Sequence, residues 1–181
     1  MSSTSIQICR SIAEFLGQHA HRVTHIAVAH TPYKTYGLTE RQMADAIDKA
    51  KKDCRHFRNC LNSRLYGPKA RRKPLQCQPL IIATLEGSLV TSDPHLTLHY
   101  NFAFGNIPAG ISDGDLYADV RDCWVNRAGQ RDDIFFSSIQ GDTSSAQGWI
   151  GYSLKEAQTK GNTEVWDFAN TQIPYDAFAA G

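Results

Sequence analysis

The 181 residues predict an α+β fold, an antiparallel sheet in split β-α-β order with helices on one face. Three observations carry this. An apolar stripe at intervals of three and four (Met43, Ile47, Ala50, Cys54, Phe57, Leu61, Leu65) specifies one long helix. Short runs rich in β-branched and aromatic residues flank it, Val23 to Ala29 before and Pro79 to Leu85 and His95 to Phe104 after. A second helical stretch then separates these from a last strand at Asp133 to Ile139. The length suits one domain over residues 1–181, with a core of about 23–160, a leading helix in 1–22 and a C-terminal tail in 161–181.

Each element has a local cause. Ile8, Ile12, Phe15 and Leu16 give the leading helix its apolar face. Thr39-Glu40-Arg41-Gln42 has the form of a capping box that opens the long helix, and Gly67-Pro68 closes it. The isoleucine-rich run from Pro79 reads as a buried strand. It turns through Glu86-Gly87-Ser88 and Ser92-Asp93-Pro94 into the strand expected from His95, so the two should pair antiparallel. Ser112 caps a helix carrying Leu116, Val120, Cys123 and Trp124, and a final helix is expected over Ser144 to Lys160.

Composition narrows the function. The apolar groups between Met1 and Ala20 are too few for a signal peptide or a membrane span, so no membrane contact and a cytoplasmic location are expected. Five cysteines at irregular positions (Cys9, Cys54, Cys60, Cys77, Cys123) form no C-x-x-C pair and read as reduced thiols. Charge is nearly balanced overall but unevenly spread. Lys34 to Lys73 holds twelve Lys/Arg against four Asp/Glu, whereas Pro74 to Gly181 holds five against thirteen. The densest part, Gly67-Pro68-Lys69-Ala70-Arg71-Arg72-Lys73-Pro74, reads as a loop in which Lys69, Arg71, Arg72 and Lys73 either contact the phosphates of a nucleic acid or simply face solvent. No G-x-x-x-x-G-K-[ST] loop occurs, so no ATPase or helicase activity is expected.

The candidate site comes from two places. On the strand from His95, a period of two puts His95, Thr97, His99 and Asn101 on one face and Leu96, Leu98, Tyr100 and Phe102 on the other. Glu86, at the end of the preceding strand, would lie beside the polar row. Further on, Tyr152 and Lys155 share one helical face, so a phenol and an ammonium can reach the same phosphate.

The pieces Leu85-Glu86-Gly87, Leu98-His99-Tyr100-Asn101-Phe102-Ala103-Phe104-Gly105-Asn106-Ile107-Pro108 and Gly148-Trp149-Ile150-Gly151-Tyr152-Ser153-Leu154-Lys155-Glu156 resemble the HUH endonuclease superfamily, specifically the rolling-circle replication initiators (Rep) of phages, plasmids and related mobile elements. The resemblance spans roughly Val23 to Lys160. It implies a ferredoxin-like catalytic domain in which a strand bearing two histidines and a nearby acid hold Mg²⁺ or Mn²⁺, and a Tyr-x-x-Lys helix supplies the nucleophile. The matching positions are His99 and Asn101, then Glu86, then Tyr152 and Lys155; Asn101 stands where the second histidine is expected. Asp93-Pro94-His95-Leu96-Thr97 also resembles the motif of initiators from small circular DNA viruses, which would make His95 a ligand.

The resemblance implies a metal-dependent endonuclease that nicks and joins single-stranded DNA at an origin or hairpin through a covalent 5′-phosphotyrosine. It implies a helicase partner, from a host or separately encoded. The residue types suit the chemistry. A free phenol has a pKa of about 10 and needs a nearby cation to attack phosphorus at neutral pH. A His, Asn and Glu set favours Mg²⁺ or Mn²⁺, because two of its three donors are oxygens. The competing reading, prompted by Asn101, is a catalytically degenerate nucleic-acid-binding module of the same fold. A third is an interaction domain for which the basic segment is incidental.

Overall fold

The computed structural model describes residues 3–89, 92–139, 142–160 and 162–175. Its elements run in the order α1 (Ser3–Gly17), β1 (Val23–Lys34), α2 (Glu40–Tyr66), α3 (Lys69–Arg72), β2 (Leu80–Glu86), β3 (Thr97–Gly105), α4 (Asp113–Arg121), β4 (Ile134–Ser138), α5 (Thr143–Ser153) and α6 (Lys155–Lys160). A π-helical stretch, Asp122–Arg127, continues α4. The strands form one four-stranded sheet in the order β2-β3-β1-β4, with every neighbouring pair antiparallel.

Local chemistry sets α2. The Thr39 hydroxyl accepts from the Gln42 N–H at 3.3 Å while the Gln42 side-chain oxygen accepts from the Thr39 N–H at 2.9 Å, which satisfies two of the donors a helix start leaves unpaired. The expected stripe then turns inward: Met43, Ala50, Cys54, Phe57, Leu61 and Leu65 are buried.

Helices cover both faces of the sheet, not one as the sequence suggested. On the first face, α2 and the α4 segment pack on Ala27, Ala29, Ile81, Ala83, Leu85, Leu98, Tyr100, Phe102 and Phe104. On the second, α1, α5 and α6 close over Val23, Ile26, Leu80, Ile82 and Ala103. The reason lies in β2, whose seven residues are all buried: a run apolar at successive positions exposes hydrocarbon on both sides and demands two covers. The stretch after Lys160, expected as a tail, runs along the outer edge of β2, bridging Gln172 to Ile81 and Trp166 to Thr84. Residues 161 and 176–181 of that tail lie outside the described residues.

Three boundaries differ from expectation. β1 continues to Lys34, five residues beyond Ala29. β3 begins at Thr97, because the Asp93 carboxylate accepts from the His95 N–H at 2.8 Å and holds His95 in the preceding turn. The last helix breaks at Leu154, whose N–H turns back to the carbonyls of Gly151 and Tyr152. Two glycines in that segment, Gly148 and Gly151, weaken the helical ladder there.

Close approach also requires particular residues. At Gly105 a Cβ would lie 2.0 Å from the Arg22 carbonyl oxygen, so only glycine lets the chain entering β1 pass the end of β3.

The first-face core is a ladder of rings. Tyr100, Phe102 and Phe104 stack along β3 at centroid spacings of 5.2 and 5.4 Å, with Phe57 and Trp124 set against them. Phe57 is fully buried at the centre of this ladder. Replacing it with alanine removes contacts to three rings and leaves a cavity, so Phe57→Ala should lose about 3–5 kcal/mol of stability, read from the midpoint of urea unfolding.

Candidate active site

The face of β3 opposite the ring ladder is polar. There the sheet register sets Glu86 of β2 directly across from His99 of β3, and His99 directly across from His30 of β1. Asn101 follows in the next row, opposite Thr84 and Val28.

Three of the expected residues, Glu86, His99 and Lys155, meet at one carboxylate, and Tyr152 lies against the lysine. Glu86 is only 2% exposed, and its Oε2 lies 3.4 Å from His99 Nε2 and 3.3 Å from Lys155 Nζ. The Lys155 ammonium also sits 3.7 Å from the centre of the Tyr152 ring. Tyr152 stacks in turn on Trp149 at 5.9 Å, and the Trp149 indole N–H donates to the Phe102 carbonyl at 3.1 Å, which ties the support of the tyrosine to the central strand. Despite the break at Leu154, Tyr152 and Lys155 keep a common direction. Tyr152 is 53% exposed, so it is open to solvent.

Charge is stored unevenly here. Burial pushes the Glu86 carboxyl up, but hydrogen bonding from His99 and the charge and hydrogen bond of Lys155 together outweigh it and hold the group below the ordinary carboxylate value. Glu86 is therefore ionised. Lys155 is held above the ordinary lysine value: partial burial opposes its charge, and its contacts with Tyr152 and Glu86 outweigh that.

Three buried polar atoms at or beside this site have no hydrogen-bond partner: Glu86 Oε1, Asn101 Nδ2 and Glu156 Oε2. Two of the three are carboxylate oxygens, acceptors that a cation or water would satisfy. The donor set of one carboxylate, one imidazole and one amide, whose oxygen and nitrogen are interchangeable by a flip, fits a hard divalent ion. Among the described residues, however, no three His, Cys, Asp or Glu side chains are gathered so as to hold an ion as they stand.

Other expected residues lie elsewhere. His95 is exposed in the turn before β3 and does not join the polar row. Lys69, Arg71, Arg72 and Lys73 are exposed, on and just after the single helical turn α3 rather than in an irregular loop. That turn is tied through Gln78 to the Leu80 end of β2, where the Gln78 side chain donates to the Ala70 carbonyl and its own carbonyl accepts from Asn106. Glu86 lies six residues further along the strand, a separation of roughly 20 Å. The basic segment and the carboxylate thus occupy opposite ends of the sheet.

Two side chains at this end carry no motif and were assigned no role from sequence. Glu156, directly after Lys155, is buried, and its carboxyl is raised by burial first and by the charge of Glu86 second. His30 stacks on His99 at 5.2 Å, and burial together with His99 lowers its pKa. On β1 the period of two sets His30 and His25 on opposite faces. In the structure His25 does face the other side, bonded to Asp113 and stacked on Phe136.

Comparisons of the chain with protein-family models, with curated proteins and with solved structures found no match. Among the described residues no helix is long and apolar enough to cross a membrane.

The raised Glu156 carboxyl has a sign that can be tested. Folding favours its neutral form, so its contribution is unpenalised below the ordinary glutamate value of about 4.3 and becomes destabilising as pH rises from there through the folded value. Glu156→Gln removes that penalty. Its Tm should exceed that of the wild type at pH 7, by roughly 2–4 °C for each kcal/mol relieved, and the gain should vanish near pH 4 in calorimetric scans.

Proposed function

We propose that the chain is a ferredoxin-like, HUH-type nuclease domain that nicks and joins single-stranded DNA through Tyr152, in the manner of a replication initiator. One observation carries the reading. A single lysine, Lys155, bridges the face of the tyrosine ring and a buried carboxylate that also binds an imidazole, so nucleophile, cation and ligand pair share one locus. The β2-β3-β1-β4 order with crossing helices is the arrangement expected of a split β-α-β sheet.

Tyr152 Oη attacks the phosphorus of a bound strand, the P–O3′ bond breaks, and the products are a 5′-phosphotyrosine and a free 3′-hydroxyl. The proton leaves the phenol and one is taken up by the departing O3′. Lys155, lying against the ring, offsets the negative charge that builds on the phosphoryl oxygens and on the phenolate. Glu86, His99 and Asn101 are the residues that would hold Mg²⁺ or Mn²⁺, which when bound polarises the scissile phosphate. Glu86 is kept ionised for that task by its neighbours, and Trp149 holds the tyrosine at the edge of the site. The reverse attack by a 3′-hydroxyl rejoins the strand. A separate helicase would supply unpaired DNA.

A second reading has one observation in its favour. Because among the described residues no three acidic, histidine or cysteine side chains already surround a point, a binding module that no longer cuts also accounts for the site.

Incubation with labelled single-stranded oligonucleotides and Mn²⁺ separates the two: a covalent adduct supports the nuclease, and binding without adduct supports the module. Tyr152→Phe should abolish the adduct on denaturing gels while leaving the folded state and DNA affinity nearly unchanged, since only the attacking oxygen is lost. Replacing Lys69, Arg71, Arg72 and Lys73 together with alanine should weaken DNA binding and reduce its salt dependence by up to about four units of slope, at roughly 0.7 per phosphate contact. An unchanged slope assigns that turn to solvent.

A further inference from the structure

We infer that the outward face of α2, continued by the α3 turn, is a docking surface for the backbone of duplex DNA, separate from the tyrosine site. The choice of DNA rests on the proposed reaction, and the surface itself rests on charge. From Lys49 to Lys73 the chain carries ten Lys/Arg and one acid, Asp53. That acid is occupied, accepting from the Tyr33 hydroxyl at 2.6 Å and from the Gln130 amide at 2.9 Å. Among the described residues, Lys49, Lys52, Arg55 and the four cations at the α3 turn are exposed and have no ion-pair partner. Later cations differ: Arg121, Arg127, Arg131 and Lys155 each face a carboxylate. Uncompensated positive charge thus gathers along one helix and the turn that follows it, a field that attracts a polyanion.

The charges are arranged in a straight row. Lys49, Lys52, His56, Asn59 and Ser63 stand three and four residues apart on α2, with Arg55 beside His56, so they share the face turned away from the buried stripe. At 1.5 Å per residue the row is about 21 Å long, which matches roughly six base pairs. Where it meets α3, Asn59, Ser63, Gly67, Pro68 and Arg71 line a depression of about 590 Å³. An amide, a hydroxyl and a guanidinium are available there to phosphate oxygens.

The rings decide between paired and unpaired DNA. An unpaired strand is held largely by stacking its bases on exposed aromatic side chains. Along α2 and α3 no Phe, Trp or Tyr is exposed: Phe57 is fully buried, and half-buried Tyr66 has its hydroxyl bonded to the Asn106 carbonyl. The one exposed ring, that of His56, lies against Cys60 Sγ at 3.7 Å. A surface of cations and amides without stacking platforms suits DNA whose bases already stack on each other, and it contacts phosphates without reading sequence. Tyr152 and Trp149 stack instead over the second face of the sheet, whereas α2 covers the first. The sheet therefore separates the two surfaces, and a duplex on α2 leaves the tyrosine free.

Fluorescence anisotropy tests this with a blunt DNA duplex, an RNA duplex and an unpaired DNA oligonucleotide, on wild type and on a variant carrying Lys49→Ala, Lys52→Ala and Arg55→Ala together. All three side chains are exposed on a helix, so the midpoint of urea unfolding should not move. The variant should lose about ten-fold or more in affinity for duplex DNA, and its salt slope should fall by up to about 2.7 units, at roughly 0.9 per phosphate contact. Its affinity for the unpaired oligonucleotide and its yield of Tyr152 adduct should stay within about two-fold of wild type. No duplex binding by the wild type, an unchanged duplex slope in the variant, an equal loss on the unpaired strand, or tighter binding of the RNA duplex overturns the proposal. The nuclease reading is judged apart from it: absence of the adduct with duplex binding intact refutes that reading and leaves the α2 surface standing.

Discussion

The structure depends on β3 being confined on all sides. It is hydrogen-bonded along both edges, to β2 and to β1, and packed on both faces. A strand so enclosed can carry polar side chains only where partners are built around them. Tyr100 shows how this is met on the ring side: its hydroxyl donates at 2.7 Å to buried Asp167, from the segment that runs along β2. On the opposite side the requirement falls on His99 and Asn101, and the answer is Glu86 with Lys155. The chemistry of the site and the packing of the core are therefore two faces of one strand.

The same confinement explains the balance of charge. A carboxylate as buried as Glu86 stays ionised because an imidazole and an ammonium converge on it. That ammonium comes from a helix more than fifty residues further along the chain, so the ion pair also docks α6 onto the end of the β2–β3 hairpin. Glu156, one residue later, faces inward, and burial first and the charge of Glu86 second raise its carboxyl above the ordinary value. Two carboxylates in one corner are thus shifted in opposite directions, the one that the lysine ammonium and the imidazole bond downward and the other upward.

Elements with local causes were legible in the sequence. The capping box at Thr39, the inward stripe of α2, the alternation that sets His99 and Asn101 apart from Tyr100 and Phe102, and the pairing of Tyr152 with Lys155 all follow from spacing within a few residues. What could not be read depended on distant partners. Parity placed His30 on a face but not beside His99, because that neighbour is fixed by β1–β3 register. The second cover of the sheet was implied by the successive apolar residues Leu80 to Ala83 of β2, yet which helices would provide it was not. His95 was assigned to the strand because alternation extends to it, whereas a single bond to the Asp93 side chain takes it out. The basic segment showed its charge but not its position, which the Leu80 end of the sheet determines.

The setting of Tyr152 has a thermodynamic consequence. A half-exposed tyrosine on a helix ordinarily samples several rotamers, and fixing it for attack would cost conformational entropy when substrate arrives. Here the ring is held between the indole of Trp149 one turn before and the ammonium of Lys155 one turn after. Much of that ordering is complete in the free protein, so under the proposed nuclease function a bound strand would meet a phenol already restricted in direction, and less of the binding energy would be consumed in aligning it.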